Sequence, residues 1–173
     1  MKKLRMIFNL STMAAFGFAS TFISGVSGAA HAQTAKDLVG TWQHVANVNI
    51  AADGKRTDTF GPDPKGMAIF SADGRFMIIN LRNDLPKIAA NSRVQGTADE
   101  NAAIVRGSIA LYGTYSVADK TINMKIEAST YPNWSGTESK RNILIYTGDE
   151  MKWSLAASIG GQSQSEVTWK RMK

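Results

Sequence analysis

Thr121-Ile122-Asn123-Met124-Lys125-Ile126-Glu127-Ala128 alternates apolar with polar or charged residues, the last pair included. A period of two sets one row of side chains against a core and the other against water, the pattern of a half-buried β-strand. Comparable runs are Thr41 to Val48, Gly66 to Ser71, Arg75 to Arg82, Tyr112 to Val117, Glu138 to Tyr146, Glu150 to Ala157 and Glu166 to Arg171, which with the first makes eight. Between them stand Asp73-Gly74, Ala118-Asp119-Lys120, Gly148-Asp149 and Gly160-Gly161, residues that suit tight hairpin turns. Strands joined so closely are neighbours and antiparallel. Eight of them predict an all-β, up-and-down barrel, which removes exposed edges by closing on itself. A two-sheet sandwich is the competing layout.

One stretch departs from this rhythm. Thr97-Ala98-Asp99-Glu100 reads as a capping box, in which the Thr97 hydroxyl accepts from the Glu100 backbone while the Glu100 carboxylate reaches back. Ala102, Ala103, Ile104 and Val105 then continue a single helix of about three turns, ending near Gly107. Leu85 to Gly96, with Pro86, precedes it as a loop. The helical insert therefore falls after the third strand, and a link of that length is either a functional lid or a simple plug.

Met1 to Ala32 has the features of a secretory signal: Lys2, Lys3 and Arg5, an apolar run around Met13 to Phe22, and Ala30-His31-Ala32 as the cleavage site. Cleavage after Ala32 leaves Gln33 to Lys173 as one domain and predicts a bacterial periplasmic or secreted protein. The chain carries 20 Lys+Arg and 14 Asp+Glu; losing three basic residues with the signal leaves 17 against 14, a net charge of +3. Without a basic block, that balance argues against nucleic acid as the partner. The absence of cysteine excludes disulfides, thiolate metal sites and a cysteine nucleophile. Past the signal no apolar run approaches ~20 residues, so no helical membrane span is expected. Outward strand faces mix polar residues without one long apolar patch, so no oligomer is specified.

Leu38-Val39-Gly40-Thr41-Trp42 opens the first strand and Val167-Thr168-Trp169-Lys170-Arg171 closes the last. Gly-x-Trp at the start of an eight-stranded pattern, with a basic residue on the closing strand, resembles the calycin signature of lipocalins and fatty-acid-binding proteins. Gly61-Pro62-Asp63-Pro64-Lys65-Gly66, Phe70-Ser71-Ala72-Asp73-Gly74-Arg75-Phe76, Tyr112-Gly113-Thr114-Tyr115 and Tyr131-Pro132-Asn133-Trp134-Ser135-Gly136-Thr137 resemble the bacterial lipocalin-like domain family. The likeness runs from about Asp37 to Arg171. It implies that Trp42 plugs the closed end of the barrel with Arg171 over its indole, Gly40 being the glycine of the same structural signature. The chain lacks the cysteines and the Thr-Asp-Tyr motif of classical lipocalins, so retinoid or fatty-acid binding is not carried over, and the family implies a fold more than an activity.

Candidate ligand-binding residues follow from strand parity. His44 shares the Trp42 face, where an imidazole can orient a ligand or act as a base; the plainer role is a barrel-floor histidine bonded to a carbonyl or water. Arg141, in line with Ile143 and Ile145, can pair with a carboxylate or phosphate of an amphipathic ligand, or lie along the rim with its head in water. Tyr115 offers a phenol to the cavity or packs locally. Tyr131 and Trp134 make either an apolar lip or a cover over one barrel end. Met67, Met77, Met124 and Met151 line an adaptable cavity or fill core. One histidine and no cysteine argue against a metal site, which carboxylates would have to complete, and no cofactor is expected. No Gly-x-Ser-x-Gly elbow or phosphate-binding glycine loop is present.

Three uses fit these residues. The first is binding of a small hydrophobic or amphipathic molecule inside the barrel. A cofactor-free isomerase or cyclase acting through a single polar group is the second, and a filled barrel serving as a structural or partner-binding module is the third.

Overall fold

The computed structural model describes residues 34–155 and 164–173. The signal segment and the Gly160-Gly161 turn lie outside the described residues, as does the end of the seventh expected strand at Ala157.

The element order is α1 (Ala35–Leu38), β1 (Gly40–Ile50), β2 (Arg56–Asp58), β3 (Lys65–Phe70), β4 (Arg75–Leu81), α2 (Ala98–Gly107), β5 (Ser108–Ala118), β6 (Thr121–Ser129), a 3-10 turn (Pro132–Trp134), β7 (Glu138–Tyr146), β8 (Glu150–Leu155) and β9 (Gln164–Arg171). Every strand pairing is antiparallel. β9 returns to β1, with Trp42 opposite Arg171 and Ile50 opposite Gln164, so the sheet closes into a barrel of eight strands and the sandwich is excluded.

The ninth strand, β2, corrects the expected position of the insert. Its three residues are all exposed and pair with the far end of β1, Val48 opposite Asp58 and Ile50 opposite Arg56. A strand so short, with no side chain facing the core, leaves no alternation to read. It places α2 after the fourth strand rather than the third. The capping box of α2 is formed: Glu100 N donates to Thr97 Oγ1 at 3.2 Å and Thr97 N donates to Glu100 Oε2 at 2.7 Å. β5 follows directly at Ser108, four residues before the first alternating residue visible in sequence.

Three bulges decide which side chains face inward. At Val45 the register of β1 slips, so Trp42 and His44 point in on one side of the bulge and Asn47 on the other. At Leu144 β7 slips in the same way, which leaves Arg141 and Ile143 buried and turns Leu144 and Ile145 outward. Ile145 therefore does not continue the face of Arg141, because one extra residue reverses parity downstream. The third bulge, opposite Tyr112 and Gly113, presses β6 so close that a Cβ on Gly113 would sit 1.9 Å from the Lys125 carbonyl oxygen. Only glycine fits there.

The core holds Leu38, Trp42, Phe70, Ile122, Met151 and Trp153 among its most buried members. Met124 also fills core, whereas Met67 and Met77 are exposed on the outer wall. Ile69, Met77 and Tyr112 are cross-strand partners on β3, β4 and β5 and all are exposed, an outer apolar row that the expectation of mixed outward faces did not include. No described helix is long and apolar enough to cross a membrane.

Candidate functional site

The two ends of the barrel are built differently. At one end the start of β1, the end of β3 and the end of β9 converge on Trp42, which is fully buried and donates its indole N–H to the Leu38 carbonyl at 2.8 Å. The Arg171 guanidinium lies 4.1 Å from the centre of the Trp42 ring. Its N–H groups donate to the carbonyls of Gly148 at 2.6 Å, Val39 at 2.7 Å and Asp37 at 2.7 Å, and to the Tyr146 hydroxyl at 3.3 Å. Gly40 sits at φ +133°, and a Cβ there would lie 2.7 Å from Arg171 Nη1. Gly40, Trp42 and Arg171 thus form one packed plug, with α1 laid over it.

At the opposite end a cavity of about 500 Å³ opens between strands and α2. Ile78, Leu111, Trp153, Val167 and Trp169 form its buried walls. Ile104, Val105 and Arg106 from the last turns of α2 also line it, as do Tyr131 and Trp134. The two aromatic rings meet edge to face, 5.6 Å between centres. Pro132 starts the 3-10 turn that brings them together, since its fixed φ suits the first helical position. Such an opening is of the size and apolar character that takes one small molecule.

Arg141 reaches this cavity from β7 and is 5% exposed. Burial lowers its guanidinium from the ordinary value to about 10, so it remains a cation at neutral pH. Its Nη1 donates to Ser139 Oγ and, at 3.5 Å, to the Lys140 carbonyl. All 14 acidic side chains of the chain belong to the described residues, and none of the ion pairs among these residues involves Arg141.

The remaining expected residues are elsewhere. Tyr115 is buried at the plugged end, its hydroxyl donating to the Ser71 carbonyl at 3.1 Å and lying 3.3 Å from that of Ala35, while its ring packs edge to face on Phe70. It offers no phenol to the cavity. His44 is 1% exposed and stands behind the cavity wall, with its ring against Phe60 at 5.6 Å and Trp169 at 5.1 Å. Neither ring nitrogen has a hydrogen-bond partner in the protein among the described residues. Burial lowers its pKa to about 4, opposed in part by the nearby Ala46 backbone, and the ring is neutral at physiological pH.

The structure therefore brings Arg141, Tyr131 and Trp134 together and separates them from His44 and Tyr115. Sequence reasoning passed over Asn80, Trp153 and Trp169 as cavity residues. Trp153 and Trp169 carried a usable signal: each is a large aromatic at an inward position of a strand beside the barrel seam. α2 contributes through residues that helical spacing alone does not direct to any particular partner. Among the described residues no group of three or more His, Asp or Glu side chains is placed to hold a metal.

A family model described as a lipocalin-like domain matches residues 39–172. The 4'-hydroxy-3'-methoxypropiophenone carrier protein of Aspergillus oryzae is 27% identical over 103 residues, spanning 53% of this chain and 92% of that protein. Among solved structures, a redesigned β-barrel superposes with a TM-score of 0.43 at 16% identity, covering 83% of this chain and 98% of that one. A de novo designed fluorescence-activating β-barrel gives 0.40 at 14% identity, covering 80% and 96%.

Proposed function

The chain belongs to the lipocalin-like domain family, and from that premise we propose that it binds a small hydrophobic or amphipathic molecule in the open half of its barrel. The observation that carries this reading is the cavity of about 500 Å³, whose buried walls are apolar and whose lining includes one buried cation, Arg141. Apolar burial supplies affinity at ~25 cal/mol per Å² removed from water, and a single polar group fixes orientation. Arg141 is that group. The naming of a relative as a carrier of a small aromatic ketone supports the same class of ligand. Catalysis by His44 gains no support, because the imidazole stands behind the wall rather than on it.

Entry between α2 and the Tyr131–Trp134 turn gives the ligand an apolar lip on one side and the Arg106 guanidinium on the other. The reading also takes the protein to be exported, with Met1 to Ala32 removed. N-terminal sequencing of protein recovered from the periplasm or the medium tests that part.

Titration with N-phenyl-1-naphthylamine, a neutral aromatic probe that brightens on leaving water, tests the binding. Saturable uptake by the protein is expected, and uptake is abolished by Leu111→Trp, which puts an indole into the cavity. Folded wild-type protein that takes up neither this probe nor its anionic 8-sulfonate analogue would refute a carrier role.

A further inference from the structure

Resting on that reading, we propose that the ligand is an amphipathic anion that enters oxyanion first and is held by a forked contact to Arg141. The charges around the cavity are one-sided. Two guanidinium groups, Arg141 and Arg106, line it, and no aspartate or glutamate among the described residues does. Arg106 is exposed at the rim and its Nε donates to the Ala102 carbonyl of its own helix. Arg141 is the buried one.

A buried cation without a counter-charge is costly, because desolvation is not repaid by a partner. Guanidinium presents five N–H donors in a planar fork that matches a carboxylate or similar oxyanion with two parallel bonds. Among the described residues only Nη1 of Arg141 finds acceptors, Ser139 Oγ and the Lys140 carbonyl, both neutral. Nε and Nη2 are left to whatever occupies the cavity. An oxyanion at that position neutralises the charge and completes the fork. The ligand body then fills the space between the Trp153 and Leu111 walls and the Tyr131–Trp134 lip. Arg106 at the entrance raises the local concentration of anions without holding them, since an exposed charge is screened by salt.

The test uses two probes that share one aromatic frame. 1-Anilinonaphthalene-8-sulfonate carries a sulfonate, and N-phenyl-1-naphthylamine does not. Wild type binds the anion more tightly than the neutral probe. Arg141→Met weakens the anion by roughly 10- to 100-fold and the neutral probe by far less, so the preference for the anion is lost, while melting at or above wild type because an uncompensated buried charge is gone. Arg141→Lys, which keeps the charge and loses the fork, recovers part of the anion affinity. Arg106→Gln flattens the salt dependence of the anion on-rate and changes its equilibrium affinity by less than about threefold. Equal affinity of wild type for both probes, or anion loss in Arg106→Gln but not in Arg141→Met, overturns this assignment and leaves the carrier reading standing. Failure of both probes to bind the folded protein overturns both.

Discussion

Replacing Arg171 with methionine keeps an unbranched stem over Trp42 and removes the guanidinium, and the contacts of that group set the size of the effect. Three main-chain carbonyls, those of Asp37, Val39 and Gly148, lose charge-assisted donors held at 2.6 to 2.7 Å. These carbonyls are only partly buried, and water replaces some of what is lost, so each is worth ~1 kcal/mol rather than the full value for a buried ionic bond. The cation over the indole adds ~1 kcal/mol. Together the loss is about 4 kcal/mol, a large share of the ~5–15 kcal/mol by which a domain of this kind is stable. Urea unfolding followed by tryptophan fluorescence measures it, and the melting temperature falls by roughly 10–20 °C. Because the plug and the cavity lie at opposite ends, affinity of the still-folded variant for N-phenyl-1-naphthylamine stays within about twofold. A stability loss below ~1 kcal/mol would refute the bond accounting. A tenfold loss of affinity with folding intact would refute the separation of the two ends.

Gly40→Ala forces a Cβ to 2.7 Å from Arg171 Nη1 at φ +133° and is expected to cost ~1–3 kcal/mol; the part due to the clash disappears in the double variant with Arg171→Met, read by the same urea midpoints. Burial holds the folded-state pKa of His44 at about 4 against an ordinary 6.5, so the unfolded chain takes up the proton first as pH falls. The contribution of His44 to stability is therefore constant above pH 6.5 and decreases by at most ~1.4 kcal/mol per pH unit between 6.5 and 4. Urea midpoints at pH 7 and pH 5.5 measure this slope, and His44→Leu should lose it. Trp134→Ala removes half of the aromatic lip and is expected to weaken the neutral probe ~10-fold, by fluorescence titration, with a much smaller change in melting temperature. Thr97→Ala breaks the capping box at the start of α2 and costs ~1 kcal/mol of helix stability, visible as faster amide hydrogen exchange at Asp99 and Glu100.

The barrel was legible because its wall strands are long enough for alternation to repeat and because hairpins leave no choice of neighbour. β6 and the capping box of α2 are cases in which local chemistry and global fold agree. What the sequence concealed has one physical cause: a bulge adds a residue without altering composition. Val45 and Leu144 look like ordinary strand residues, yet each reverses the face of everything after it within its strand. Parity counted from a strand start therefore placed Arg141 correctly, upstream of its bulge, and misplaced Ile145 beyond it. Tyr115 shows a second limit. Parity says that a side chain points inward but not how far along the barrel axis it lies, and an inward tyrosine near the plugged end meets the carbonyls of Ala35 and Ser71 instead of the cavity.

Depth along the axis also separates two arginines that sequence treats alike. Both lie on inward strand faces of the same barrel. Arg171 donates to three carbonyls and a hydroxyl and covers an indole, so its charge is spread over fixed acceptors and its removal leaves holes. Arg141 is more deeply buried and has a hydroxyl and one carbonyl at a single nitrogen, so its removal relieves a cost. A satisfied arginine stabilises the fold, whereas an unsatisfied one at a cavity spends stability that only a bound partner returns. Arg171→Met should therefore lower the melting temperature while Arg141→Met leaves it at or above wild type, and anion affinity should fall only at position 141, a double dissociation that a purely structural role for Arg141 does not produce.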